Sequence, residues 1–229
     1  MASRLALPAL LLAALFPQPT TVRPRPEPLR SVHAIAAVRD SVPLRARPNG
    51  RVIARVGPRT EFGTPRALSV AARRGRWLGV VATELPNGKL GWVHRRNTGL
   101  RVRRTAYSLH ADLSRRRLEL RKGGRLLRGI SVAIGRPGSG TPTGRFSVTD
   151  KLSGSRYGPY YGCCIVALSG HQPHLPAGWP GGDRLAIHGT DSPGAIGTAA
   201  SAGCLRAGDA DLRVLMRRVP LGTPVFIRD

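Results

Sequence analysis

Cysteine, acidic residues, aromatics and long apolar runs are all scarce in this chain of 229 residues. Its three cysteines, Cys163, Cys164 and Cys204, are too few for the disulfide framework of a small secreted scaffold, so packing must carry the stability. The number is also odd, and one thiol is left over whichever pair is bridged. Asp+Glu 12 against Lys+Arg 37 gives a formal charge of +25, a field that favours polyanions without naming one. Aromatics are 5% of the chain, and neither a strand of stacking aromatics nor a reading helix is visible, which disfavours specific nucleic-acid recognition. No apolar run reaches the roughly 20 residues a membrane span needs. Neither a repeat nor a βαβ rhythm is present, which excludes solenoids and doubly wound sheets.

What is present is enough for a core, since 41% of residues are hydrophobic. The positive charge is spread along the chain, with 19 basic and 4 acidic groups in residues 1–103 and 18 and 8 in residues 104–229, so there is no isolated basic tail. Arg4 precedes the apolar residues 5–16, the grammar of a secretory signal. Five prolines follow within residues 17–31 and predict an extended linker. The expected organisation is a signal segment at 1–20, a Pro-rich linker at 21–32, a small β domain at 33–103 and a second, mainly β domain at 104–229. The product is expected outside the cytoplasm.

Residues 33–103 hold short β-like runs between turns. Asn87-Gly88, flanked by Leu85 and Leu90, predicts a hairpin because both residues tolerate the positive φ of a tight turn. The order Leu44-Arg-x-x-Pro48, Trp77-Leu-x-Val80 and Asn87-Gly-x-x-Gly-Trp-Val93 resembles bacterial SH3-like modules found on secreted wall enzymes, which implies a small barrel. Beyond residue 104 the strands continue, Gly123-Gly124 predicts a second hairpin, and apolar residues at Leu212, Leu215, Met216 and Val219 predict one helix over residues 207–218.

Two tempting motifs fail. The glycines of 135–140 miss the phosphate-loop spacing and no helix follows them. Cys163, Cys164, His171 and His174 have the chemistry of zinc ligands, but adjacent cysteines rarely both reach one tetrahedral ion, so no metal and no cofactor is expected. Cys163 and Cys164 read as small buried hydrophobes or as one bridged pair.

Cys204 stands apart, in Ser201-Ala-Gly-Cys-Leu-Arg206, downstream of Ile187-His188-Gly-Thr190. A thiol at the start of the predicted helix would have its pKa lowered by the helix dipole, with Arg206 adding to that field. His188 is then a candidate base, the N–H groups of Gly203 and Cys204 candidate oxyanion donors, and Ser201 and Arg206 further candidates for oxyanion or substrate binding.

These residues carry a second resemblance. His188-Gly-Thr, a loop, and Ser201-Ala-Gly-Cys204-Leu-Arg206 resemble the signature of the YkuD-type L,D-transpeptidase catalytic domain, with support from Asp112-Leu-Ser, Ala133-Ile-Gly-Arg-Pro-Gly138, Thr141-Pro-Thr-Gly-Arg-Phe146 and Leu168-Ser-Gly-His171. The resemblance implies a β-sandwich enzyme of the cell wall. It implies that Cys204 attacks a peptidoglycan stem tetrapeptide at the carbonyl of its third residue, releases D-alanine and holds the acyl group as a thioester for the amine of a second stem. It assigns the proton to His188, the orientation of His188 to the Gly189 carbonyl, and loop order or a substrate carboxylate to Arg206. Ala202 departs from the pattern, since the family often has His there, and that second imidazole is absent.

The implied partners are donor and acceptor stem peptides and anionic wall polymers, with no specific nucleic acid and no transmembrane anchor once the signal is removed. Two alternatives share the residues: an L,D-carboxypeptidase using the same thiol, and a non-catalytic wall-binding protein.

Overall fold

The computed structural model describes residues 32–179 and 181–229; the expected signal segment, and the expected linker up to residue 31, lie outside them. Seven strands come first: β1 (His33–Val38), β2 (Val42–Arg45), β3 (Val52–Val56), β4 (Ala67–Arg74), β5 (Trp77–Val80), β6 (Gly91–His94) and β7 (Leu100–Thr105). They form one sheet in the order β3-β2-β6-β5-β4-β1-β7. Alternating apolar residues such as Val42 and Leu44 point into a separate small core with Val56, Val80 and Val93.

The predicted tight hairpin at Asn87-Gly88 takes a different form. Gly88 has φ +77° and Lys89 N donates to Pro86 O, so the turn exists, but it is the tip of a longer connection between β5 and β6. Gly123 and Gly124, both at positive φ, close their hairpin directly, as expected.

The second part contains β8 (Tyr107–Asp112), β9 (Arg117–Lys122), β10 (Arg125–Ser131), β11 (Ile134–Gly135), β12 (Gly144–Ser153), β13 (Cys164–His171), β14 (Arg184–His188), β15 (Ala199–Ser201), β16 (Leu205–Arg206), helix α1 (Asp209–Arg218) and β17 (Pro224–Arg228). Eight of these strands run β10-β9-β8-β17-β12-β13-β14-β16, while β11 and β15 pair separately. The ten-residue β12 is the fold line. Its first half pairs with β17 and its second half with β13, so the curled sheet has two leaves around one core. That core takes Leu118, Leu120 and Ile130 from one leaf, Val166, Leu185 and Ile187 from the other, and Leu212 and Leu215 from α1. Each leucine of α1 is fully buried and contributes roughly 1.5–3 kcal/mol by leaving water. The chain is thus mainly β with one α-helix among the described residues, as its sequence implies.

Side chains connect the two parts. Arg145 on β12 donates to the Val70 and Ala71 carbonyls of β4 at 2.9 and 3.3 Å. Asn87 donates to His171 O at 2.7 Å and accepts from His171 N at 2.9 Å. The His171 ring contacts Thr83 O at 2.7 Å. The tip of the β5–β6 connection is therefore bound to the end of β13, beside the candidate site.

Candidate active site

Strand geometry brings the candidate residues to one place. β14 and β16 are parallel, with Ile187 opposite Leu205 and His188 opposite Arg206. The segment that carries Cys204 and Arg206 therefore lies alongside His188. Cys204 and His188 line one small cavity of about 30 Å³, with Tyr160, Tyr161, Gln172, Trp179 and Asp183 among its walls.

His188 is buried, and its Nδ1 lies 2.6 Å from Gly189 O. A carbonyl only accepts, so Nδ1 carries the proton and Nε2 keeps its lone pair. Burial, reinforced by the Arg206 charge, lowers the His188 pKa to about 4. Burial also raises the thiol of Cys204, whose Sγ lies 3.8 Å from Arg184 O. The resting pair is a neutral thiol and a neutral imidazole. This corrects the expectation of a dipole-activated thiolate: β16 intervenes, and α1 begins at Asp209 rather than residue 207, so its positive end is five residues downstream of the thiol.

Gly189 is required by its surroundings, since a Cβ there would sit 2.7 Å from Asp209 Oδ1 and from Gly162 Cα. Asp209 Oδ1 also accepts from Cys163 N at 3.0 Å. The carbonyl that orients His188 is thereby packed against the helix start. Cys163 and Cys164 are bridged to each other and Cys204 is the free cysteine, so the alternative of two buried free thiols is set aside.

Ser201 donates to Cys204 O at 2.6 Å and accepts from Gly203 N at 3.0 Å. In this state the Gly203 N–H is occupied by Ser201 instead of being open to an oxyanion, and Ser201 shapes the turn. Arg206 is buried, stacks its guanidinium 4.5 Å over the Tyr160 ring and donates to the Tyr160 hydroxyl. Its Nε has no hydrogen-bond partner among the described residues.

Two residues outside the set expected from sequence contact His188. Tyr161 and Tyr160 place their rings 4.9 and 5.6 Å from the imidazole. The available signal was crowding, because three of the chain's four tyrosines fall within residues 157–161. Gln172 gave no signal. It is buried, and its Nε2 lies 3.2, 3.0 and 3.0 Å from the carbonyls of Ser139, Gly140 and Ala202, tying three backbone positions together next to the Cys204 turn. Gly203, at φ +124°, passes so close that a Cβ would fall 2.0 Å from that nitrogen.

The depressed pKa of His188 has a consequence for stability. Its folded value of about 4 lies below the unfolded 6.5, so the unfolded chain binds the proton first as pH falls. Stability is full above about pH 6.5 and declines towards pH 4, by up to about 3 kcal/mol from this residue. His110, also lowered to about 4 by burial, acts in the same direction. Thermal melting from pH 7.5 to 4.5 checks this, and His188→Asn should flatten part of the slope.

Comparison with known proteins identifies the family. The YkuD model, the L,D-transpeptidase catalytic domain, matches residues 106–227. The Bacillus licheniformis L,D-transpeptidase YkuD is 32% identical over 123 residues, 53% of this chain and 65% of the relative. The Bacillus subtilis L,D-transpeptidase YqjB is 35% identical over 108 residues, 43% of this chain and 58% of the relative. This chain therefore spans less than two thirds of the length of those relatives. Among solved structures, L,D-transpeptidase 3 of Mycobacterium tuberculosis, in complex with a faropenem-derived adduct, aligns with TM-score 0.44 and 17% identity over 61% of this chain and 73% of that one. With more than half of its length matched by the family model, the chain belongs to the YkuD family of L,D-transpeptidase catalytic domains.

Proposed function

We propose that this protein cross-links peptidoglycan stem peptides through a thioester on Cys204, outside the cytoplasm. The observation that carries the reading is the orientation of His188: its Nδ1–H is held by Gly189 O, which leaves Nε2 its lone pair, and His188 lines the same cavity as Cys204. Cys204 Sγ attacks the carbonyl of the third residue of a donor tetrapeptide as its proton passes to Nε2. The C–N bond to the terminal D-alanine breaks, and the proton leaves with that amine. The side-chain amine of an acceptor stem then attacks the thioester, gives a proton to Nε2, and its nitrogen forms the new amide as the thiol is restored. A cavity of about 30 Å³ holds about one water, so donor entry requires Tyr160 or Trp179 to move. Arg206, with its open Nε, is assigned to a donor carboxylate exposed by that movement. Residues 33–103 are assigned to an SH3-like module that holds the enzyme at the wall.

The test is intact mass spectrometry after incubation with a diamino-acid-containing stem tetrapeptide and, separately, with a carbapenem. Wild type should gain an adduct, and Cys204→Ala should gain none. A folded, reduced wild type that neither compound acylates would overturn the proposal.

A further inference from the structure

A second, larger cavity has no part in the chemistry above. It encloses about 560 Å³ at the β1–β4–β7 end of the first sheet, and it shares no lining residue with the cavity at Cys204. Four of its lining residues are arginines, Arg73 on β4, Arg95 just after β6, Arg104 on β7 and Arg145 on β12, and none is Asp or Glu. Arg145 is spent in part on the β4 carbonyls and Arg73 donates its Nε to Gly75 O at 3.1 Å, so the inference rests on Arg95, Arg104 and the terminal nitrogens of Arg73. Arg73, Arg95 and Arg104 are all exposed, and none is in an ion pair among the described residues.

Three arginines lining one concavity without a carboxylate concentrate positive charge there, an arrangement that an anionic ligand relieves. Guanidinium forks bind phosphate or carboxylate oxygens two at a time. The floor between them is apolar, with Val70, Leu78 and Val102. No Trp, Tyr or Phe lines it, so nucleobases would lack the aromatic faces on which they stack. Bulky sugar rings would likewise lack a flat face to pack on. A thin chain whose methylene or polyol units lie on the apolar floor while its phosphates meet the arginines fits all three features.

We propose that this groove binds a phosphodiester-linked polyol polymer, and that it is a localised site distinct from the general attraction of a +25 surface. It requires no transpeptidase activity, so it stands or falls apart from the proposed function.

The experiment measures binding of the full chain to polyglycerol phosphate at 150 mM salt. Wild type is compared with Arg73→Gln/Arg95→Gln/Arg104→Gln and with a charge-matched control, Arg115→Gln/Arg125→Gln/Arg217→Gln, whose exposed arginines lie outside the groove. Both variants lose three charges. The groove variant should bind at least 10-fold more weakly, the control should stay within about 2-fold, and the thermal melting midpoint should be unchanged in both as a check of folding. Equal weakening of the two variants, or none, overturns a localised site. Comparable groove-dependent binding of single-stranded DNA or of a carboxylated polysaccharide overturns the choice of ligand.

Discussion

Replacing His188 with Ala is expected to slow acylation of Cys204 by about 10²–10⁴-fold at neutral pH, the range that a positioned proton acceptor supplies. The reason lies in the resting charges. Burial lifts the thiol above its ordinary 9.0 and lowers the imidazole to about 4, so neither group is charged before substrate arrives, and the proton must move as the S–C bond forms. Without Nε2 the reaction waits for the small thiolate fraction. The defect should therefore shrink as pH is raised beyond 9, because hydroxide then removes the proton. A purely structural role for His188 would show no such recovery, and melting curves recorded alongside separate loss of fold from loss of base. The wild type should keep its acylation rate down to about pH 5 and lose it with an apparent pKa near 4, for as long as the protein stays folded.

Gln172→Glu is expected to be the most damaging near-isosteric change at the site. The amide nitrogen faces three backbone carbonyls, and a carboxylate in its place would present negative charge to all three in a buried position. An uncompensated buried charge costs about 3–5 kcal/mol. The carboxyl can escape by binding a proton, which restores one donor, so its folded pKa must rise above the unfolded value. The stability gap to wild type should then be widest near pH 8 and narrow as pH falls towards 5, a trend readable in denaturant titrations at the two pH values. Gln172→Ala, which leaves the carbonyls without a donor at about 1–3 kcal/mol, should show a smaller and nearly pH-independent loss. Both variants should slow acylation, since Ala202 stands two residues before the nucleophile. A Gln172→Glu protein as stable as wild type at pH 8 would sink the argument.

The residues gathered around the thiol were legible where the chemistry is local. His188, Gly189 and the Ser201-to-Arg206 turn carry their pattern within a few positions of chain, and burial alternates along β2 and β9, though not along β10, which is exposed almost throughout, or β13, which is buried almost throughout. What the sequence hid depends on long-range partners. The helix was expected from residue 207, yet Ala207 N donates to His188 O, and pairing with β14 outweighs helical propensity there. Asn87 marked a turn correctly, but its docking on His171, 84 positions away, has no local signature. Gln172 and Tyr160 are single residues whose partners come from other elements, and no periodicity announces them.

The placement of β17 bears on when this protein can work at all. Its partners, β8 and β12, begin 117 and 80 residues earlier in the chain, and β17 separates them in the sheet. One leaf of the sheet therefore keeps a gap at its centre until residue 228 has been made and freed. Contacts so distant in sequence form slowly, and the leaf that contributes Leu118, Leu120 and Ile130 to the core is completed only when they do. A chain still lacking those five residues would carry Cys204 on an unfinished sheet, so the fold around that thiol is completed late in synthesis.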